Sequence, residues 1–314
     1  PGARVRGVPS RPAKRRHRSR HWARSPWFVP LLFSGGGLAV VLVMTIFPFF
    51  NTLALSFTDA TMLRNGQFIG LDNFRELLSD QRFGTALLNS SLYVVVVVPL
   101  MTVLPLILAA LAAGDSKILG FFRTAFYLPV VMSAVVVGLI WTSLLERRGL
   151  INETLQWLHM LTEPVPFLTD RWLLLFSSMF VTVWMGLGYY MVIYLAALAS
   201  VDPSLYDAAA VDGAGTVRKF LSVTMPGVRN TMMLVAMFSS VAAFRVFGEV
   251  YVLTDGTGGP GGGVVTMTML IQREGTGLQA RTGYAGAISL VMFVVLAVLL
   301  MLQIIVQNRE GKKA

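Results

Sequence analysis

The chain has 314 residues, of which 55% are hydrophobic and only 13% charged. Soluble domains carry about 25% charged residues, so this composition excludes one and describes an integral membrane protein. The formal charge of +10 does not read as nucleic-acid binding, because nine basic residues and no acid fall within residues 1–25. With no cysteine, disulfides, thiol catalysis and thiolate metal sites are excluded.

The chain opens on Pro1 rather than Met, which points to processing or trimming ahead of it. Residues 1–26, with Arg4, Arg6, Arg11, Lys14, Arg15, Arg16, Arg18, Arg20 and Arg24, read as a basic cytoplasmic tail that touches anionic membrane lipid. Six runs supply the roughly 20 apolar residues a spanning helix needs: about 27–50, 85–113, 119–145, 172–200, 230–253 and 283–307. The first is too long for a signal peptide and no small-residue cleavage site follows it. Trp22 and Trp27 stand where interfacial aromatics gather. The expected fold is therefore all-α, with a six-span membrane domain over 27–307 and a short tail over 308–314.

With the tail inside, Lys117, Arg123, Arg218, Lys219, Arg229, Arg309, Lys312 and Lys313 share its side. The excess of cations there predicts both termini in the cytoplasm. Outside loops then fall near 51–84, 146–171 and 254–282. The first holds a short helix within Gly70–Leu78 with Asp72 as its cap. The second holds Pro164-Val-Pro-Phe167, which no helix interior tolerates. The third opens on Gly256-Thr-Gly-Gly-Pro-Gly-Gly-Gly263, which reads as a flexible turn rather than a phosphate cradle, because no lysine-bearing helix follows it. Pro99, Pro105 and Pro129 permit kinks in the second and third spans.

On the inside, before the fifth span, lies a polar island. Asp202-Pro203 supplies a helix cap and first residue, and Asp212-Gly213 supplies the break. A second short helix with Phe220 and Val223 on one side runs to Pro226. This predicts a helix–turn–helix over about 202–228, lying against the bundle.

The fifth span carries Arg245 and Glu249. Charges inside a span are costly and face a bundle interior or wet cavity, and i,i+4 spacing places this pair on one helix face. With Phe244, Phe247 and Tyr251 around them they suit a sugar, which offers hydroxyls and apolar C–H faces. A structural ion pair is the alternative. Trp184, Tyr189 and Tyr190 of the fourth span are further pathway candidates, or packing residues. His17, His21 and His159 lack metal-ligand spacing, no Walker A sequence occurs, and no catalytic constellation is present. Any ATP must bind elsewhere.

Tyr206-Asp-Ala-Ala-x-x-Asp-Gly-Ala214, followed by Phe220 and Pro226, resembles the EAA loop of ABC importer permeases. Asp207 departs from the pattern, where the family usually has Glu. Gly70-Leu-Asp-Asn-Phe74, Asn89-Ser90, Tyr127-Leu-Pro129, Trp141, Gly149-Leu-Ile-Asn152, Tyr251-Val-Leu-Thr254 and Gly283-Tyr-Ala-Gly-Ala287 are similar to the carbohydrate-uptake branch, the maltose- and glycerol-phosphate-type permeases in a six-span form. The resemblance implies a type I importer permease in a bacterial or archaeal cytoplasmic membrane, paired with a second permease, two ATPases that hold ATP and Mg, and an extracytoplasmic solute-binding protein. It implies no cofactor in this chain, no enzyme activity of its own and no nucleic-acid partner. It assigns ATPase coupling to Tyr206, Asp207, Ala208, Ala209, Asp212, Gly213, Ala214, Phe220 and Pro226. A glycerol-3-phosphate or phosphodiester permease and a self-sufficient secondary transporter are the alternatives; Glu249, if it neutralises Arg245, favours a neutral sugar.

Overall fold

Apolar runs dictate the architecture. In the computed structural model, which describes Gly2 and residues 28–311 and side chains from Ser34 to Arg309, five helices are long and apolar enough to cross a membrane. They are Ser34–Leu55, Gln81–Ala112, Arg171–Leu198, Arg229–Leu253 and Thr282–Arg309. The basic tail, Trp22, Trp27, His17, His21, Lys312 and Lys313 lie outside the described residues. The chain divides into units 1–51 and 52–314. The first contains α1 (Phe28–Val41), a π-helical turn (Leu42–Ile46) and the beginning of α2 (Phe47–Leu55).

In the second unit α3 (Asp72–Ser79) leads into α4 (Gln81–Ala112), which stays helical through Pro99 and Pro105. The expected third span is broken. α5 (Lys117–Tyr127) passes through a 3-10 turn at Leu128–Val131, and α6 (Ala134–Leu145) starts afresh. The two halves meet at 101°, so the count reaches six only if this bent pair is one span. Pro129 removes a backbone donor, and Ser133 caps the new helix by accepting from the Val135 N–H. The rest of the unit comprises α7 (Leu150–Trp157), α8 (Arg171–Leu198), α9 (Pro203–Val211), α10 (Thr216–Lys219), α11 (Met225–Gly227), α12 (Arg229–Phe244), α13 (Gly248–Leu253), α14 (Met267–Gly275) and α15 (Thr282–Gly311).

The core lies where α4, α8 and α12 meet, with Tyr93, Leu106, Leu174, Met179, Tyr194, Val235 and Phe244 all buried. Lipid tails are as apolar as leucine, so close packing and interhelical hydrogen bonds hold such helices together. The Tyr93 hydroxyl donates to Ser178 Oγ at 2.5 Å, Tyr194 to the Thr102 carbonyl at 2.8 Å, and Gln303 Nε2 to Ser240 Oγ at 2.7 Å.

Three buried asparagines staple the loops at the opposite end of the bundle from α9. Asn73 Nδ2 donates to the carbonyls of Ser56 and Thr58, each at 2.9 Å. Asn89 Nδ2 donates to those of Gly263 and Val265, also at 2.9 Å. Asn152 donates to Glu146 and Val165 and accepts from the Val165 N–H. Asp72 is not the cap of α3: Leu71 occupies that position, and Asp72, in the first turn, accepts instead from Arg75 Nη1 at 3.0 Å. Gly283 backs onto the Thr58 carbonyl, which a Cβ would meet at 2.0 Å.

Ion pairs complete this end. Arg281 grips Glu76 with two hydrogen bonds, 2.7 and 2.6 Å. Those bonds hold the Glu76 carboxyl below its ordinary 4.5. Arg82 bridges Asp80 and Glu274, at 3.0 and 2.8 Å. Burial pushes the Asp80 carboxyl up, but hydrogen bonds from Arg82 and from the Tyr284 hydroxyl outweigh it and leave it below 3.8.

Candidate functional site

The polar island folds as local backbone chemistry requires. The Asp202 carboxylate accepts from the Ser204 N–H at 2.9 Å and Pro203 opens α9. α9 closes with a paired motif: the Gly213 N–H donates to the Ala210 carbonyl at 3.0 Å and the Ala214 N–H to Ala209 at 2.9 Å. Gly213 takes φ +72° while a Cβ there would meet nothing within 4 Å, so backbone conformation alone requires glycine.

The second arm runs through α10, a π turn at Phe220–Thr224 and α11, ending one residue beyond Pro226. Pro226 has no N–H to offer Ser222, and the ladder widens, with the Met225 N–H reaching back to Phe220. Tyr206 Oη and Thr224 Oγ1, 3.1 Å apart, stitch the two arms together. Between the arms and the end of α4 lies a groove of about 410 Å³ lined by Leu111, Tyr206, Val217 and Phe220. Ala214 is buried, whereas Leu205, Val211, Val217 and Leu221 are exposed. Asp207, Ala208 and Asp212 are exposed, Ala209 partly so. Among the described residues Asp207 makes no hydrogen bond or ion pair. The loop thus shows an apolar surface with unspent carboxylates at one end of the bundle.

The transmembrane candidates are arranged otherwise than i,i+4 spacing predicts. α12 ends at Phe244, Phe247 adopts φ −141° ψ −59°, and α13 starts at Gly248. The freed Val246 carbonyl is taken by the buried Thr266 hydroxyl at 3.0 Å. Arg245 and Glu249 therefore do not share a continuous helix face, and among the described residues no ion pair joins them. Glu249 instead falls in the first turn of α13, where unsatisfied N–H groups favour negative charge.

Arg245 lines a cavity of about 530 Å³ between α12, α14 and α15, together with Thr268, Ser289 and Phe293. The Thr268 hydroxyl is buried without a hydrogen-bond partner. Nothing in the sequence singles it out, since threonine in an apolar run passes for packing. Phe244 and Tyr190 are buried. Phe247 and Tyr251 face each other at 5.0 Å, Tyr189 meets Tyr190 at 5.1 Å, and Trp184 meets Trp141 edge-on at 5.5 Å. Only Arg245 among the predicted pathway residues opens into this cavity.

A bundle with a helix–turn–helix at one end and stapled loops at the other can be compared with known proteins. Residues 74–311 match the family described as binding-protein-dependent transport system inner membrane component. The chain belongs to that family. As a member it is a multi-pass membrane permease subunit, which sets aside the self-sufficient transporter. It is similar to a lactose transport system permease protein of Rhizobium radiobacter, 32% identical over 87% of this chain and 91% of the relative. It is also similar to a diacetylchitobiose uptake system permease protein of Streptomyces coelicolor, 31% identical over 90% and 82%. A solved bacterial transporter that imports the acidic polysaccharide alginate has the same fold, with TM-score 0.74 and 22% identity over 93% of this chain and 99% of that one. The family's fold is the type I importer permease.

Proposed function

We propose that this chain is one of two permease subunits through which an ABC importer brings a sugar across the cytoplasmic membrane. The observation that carries the reading is the capped, Gly213-turned loop with its exposed apolar surface, in a family that works with a binding protein. Relatives named for lactose and diacetylchitobiose support a sugar over a glycerol phosphate. A transporter of the same fold was solved in complex with an alginate pentasaccharide-bound periplasmic protein, which supports an extracytoplasmic solute-binding partner here.

In this reading the loop end faces the cytoplasm, as do both termini, and α9 seats in a groove of an ATPase that binds ATP and Mg. The helix is tied to the spans at both ends and to its own second arm by Tyr206 and Thr224, so displacement of the ATPase moves the bundle rather than the loop alone. Tyr206, Ala208, Ala209, Ala214, Phe220 and Pro226 shape that seat, and Asp207, Asp212, Arg218 and Lys219 make polar contacts remade each cycle. Arg245, Glu249, Phe244, Phe247, Tyr251, Trp184 and Tyr190 are assigned to the sugar's route, Arg245 as the one that opens into the cavity beside Thr268. Co-expression with the companion permease and ATPase tests this. The three chains should copurify and hydrolyse ATP faster with loaded binding protein; a chain that purifies alone and transports sugar without ATP would refute it.

A further inference from the structure

At the end of α8 away from the coupling loop, a pocket of about 540 Å³ lies among Arg82, Arg171, Arg273 and the glycine run Gly261–Gly263. The loop 256–263 that contains this run is no phosphate cradle and no loose turn, because the amides of Gly256, Gly258, Gly259, Gly262 and Gly263 are already bonded within it or to the end of α13. The Gly262 N–H donates to Gly259, Gly263 to Pro260 and Val264 to Gly258. Its carbonyls do the work instead. Gly263 O accepts from Arg171 Nε at 3.1 Å, and Gly256 O accepts from Arg273 Nη2 at 2.9 Å. A Cβ at Gly263 would lie 3.0 Å from Arg171 Cδ, so the absent side chain lets the arginine stem lie against the turn.

The charges around the pocket are unequal. Arg82 is spent on Asp80 and Glu274. Asp170, beside Arg171, caps α8 through the N–H groups of Trp172 and Leu173. Arg171 and Arg273 have no carboxylate partner among the described residues. Two guanidinium groups, each anchored through one nitrogen to a fixed carbonyl, therefore line one recess, that of Arg171 also lying over the Trp172 ring at 4.7 Å and Glu274 lining the same recess with its charge already met by Arg82. A planar fork of N–H donors matches a carboxylate in two-point fashion, and anchoring beforehand reduces the ordering cost on binding.

We propose that this recess is a socket for an acidic side chain of the solute-binding protein. The inference rests on the reading of this chain as a binding-protein-dependent permease, and on the recess lying at the end opposite the ATPase loop. It adds the residues and the chemistry of the contact. Charges at an interface rim act on encounter and on salt dependence more than on the final rate.

The test is a titration of the reconstituted permease–ATPase complex in nanodiscs with the solute-binding protein that stimulates the wild-type complex, loaded with a neutral sugar. Arg171→Glu with Arg273→Glu should raise the concentration giving half-maximal ATPase by about tenfold or more, and flatten its rise with salt. The rate at saturation should stay near wild type. Arg171→Gln with Arg273→Gln keeps a donor for each loop carbonyl and should give a smaller shift in the same direction, with copurification reporting assembly. Reversing the matching acid on the binding protein should restore the Glu variant. An unchanged half-maximal concentration in the assembled Gln variant overturns the socket. So does a defect seen only with a uronate-bearing sugar, which would assign the recess to cargo. A wild-type complex that no binding protein stimulates would overturn the parent reading and the socket with it.

Discussion

Arg245, just past the end of α12, and Glu249, in the first turn of α13, stand four residues apart in one hydrophobic run and form no ion pair. The interruption at 245–247 sends Arg245 into the cavity beside Thr268 and leaves Glu249 in the first turn of α13. Thr266 secures the break by binding the Val246 carbonyl. Glu249 therefore does not neutralise Arg245 here, and the preference for a sugar rests on the relatives.

Independent sites give additive effects, within roughly 0.5 kcal/mol. Arg245→Ala and Glu249→Ala should each impair uptake in proteoliposomes, and the double variant should show the product of the two losses. A coupling of about 1 kcal/mol or more would mean that the two groups pair during the cycle.

Gly213 makes the sharpest test of the loop. Its φ of +72° is open to alanine only at a cost of about 1 kcal/mol. Proline is excluded from that conformation and would also delete the donor to Ala210. Gly213→Pro should insert and pair with its companion permease, yet ATPase activity should fail to rise with loaded binding protein. Normal stimulation would remove the loop from the coupling path.

The Asn89 staple predicts an order of stability. In Asn89→Ala the Gly263 carbonyl keeps Arg171, but the Val265 carbonyl is orphaned, at a cost of about 1–3 kcal/mol. Asn89→Asp should be worse, because a carboxylate then opposes two carbonyls. Thermal unfolding of the detergent-solubilised complex reads this order, and an aspartate variant as stable as the alanine one would contradict the staple.

The parts legible in the sequence are those set by neighbouring residues. Asp202, Pro203 and Gly213 fix the loop because a cap, a first-turn proline and a left-handed glycine act within a few residues. Asn73, Asn89 and Asn152 were legible as a family pattern but not as staples, since Asn89 reaches carbonyls 174 and 176 positions away. The break after Phe244 carries no proline to announce it; it depends on Thr266, 20 residues downstream. In the third span Pro129 was visible as a kink, but a 101° turn needs Ser133 to restart the helix. The arginine recess was hidden because Arg171 and Arg273 meet only through the glycine run.

The Glu76–Arg281 clamp gives a dependence on pH whose sign follows from its shift. The hydrogen bonds from Arg281 lower the Glu76 carboxyl below 4.5, against the opposing effect of burial. A carboxyl lowered on folding adds stability above its unfolded value, and that stability is lost as pH falls through the folded value. The clamp joins α3 to the start of α15, so its contribution should be complete above about pH 5 and fade below pH 4.5. Both side chains are close to half exposed, 40% and 45%, so solvent screening keeps the contribution at or below about 1 kcal/mol. Comparing wild type with Glu76→Gln by thermal unfolding from pH 7 to pH 3 should show a gap at neutral pH that closes on acidification. A gap that persists unchanged at pH 3 would mean the glutamine acts through packing, and the ion pair would not be what ties these two elements together.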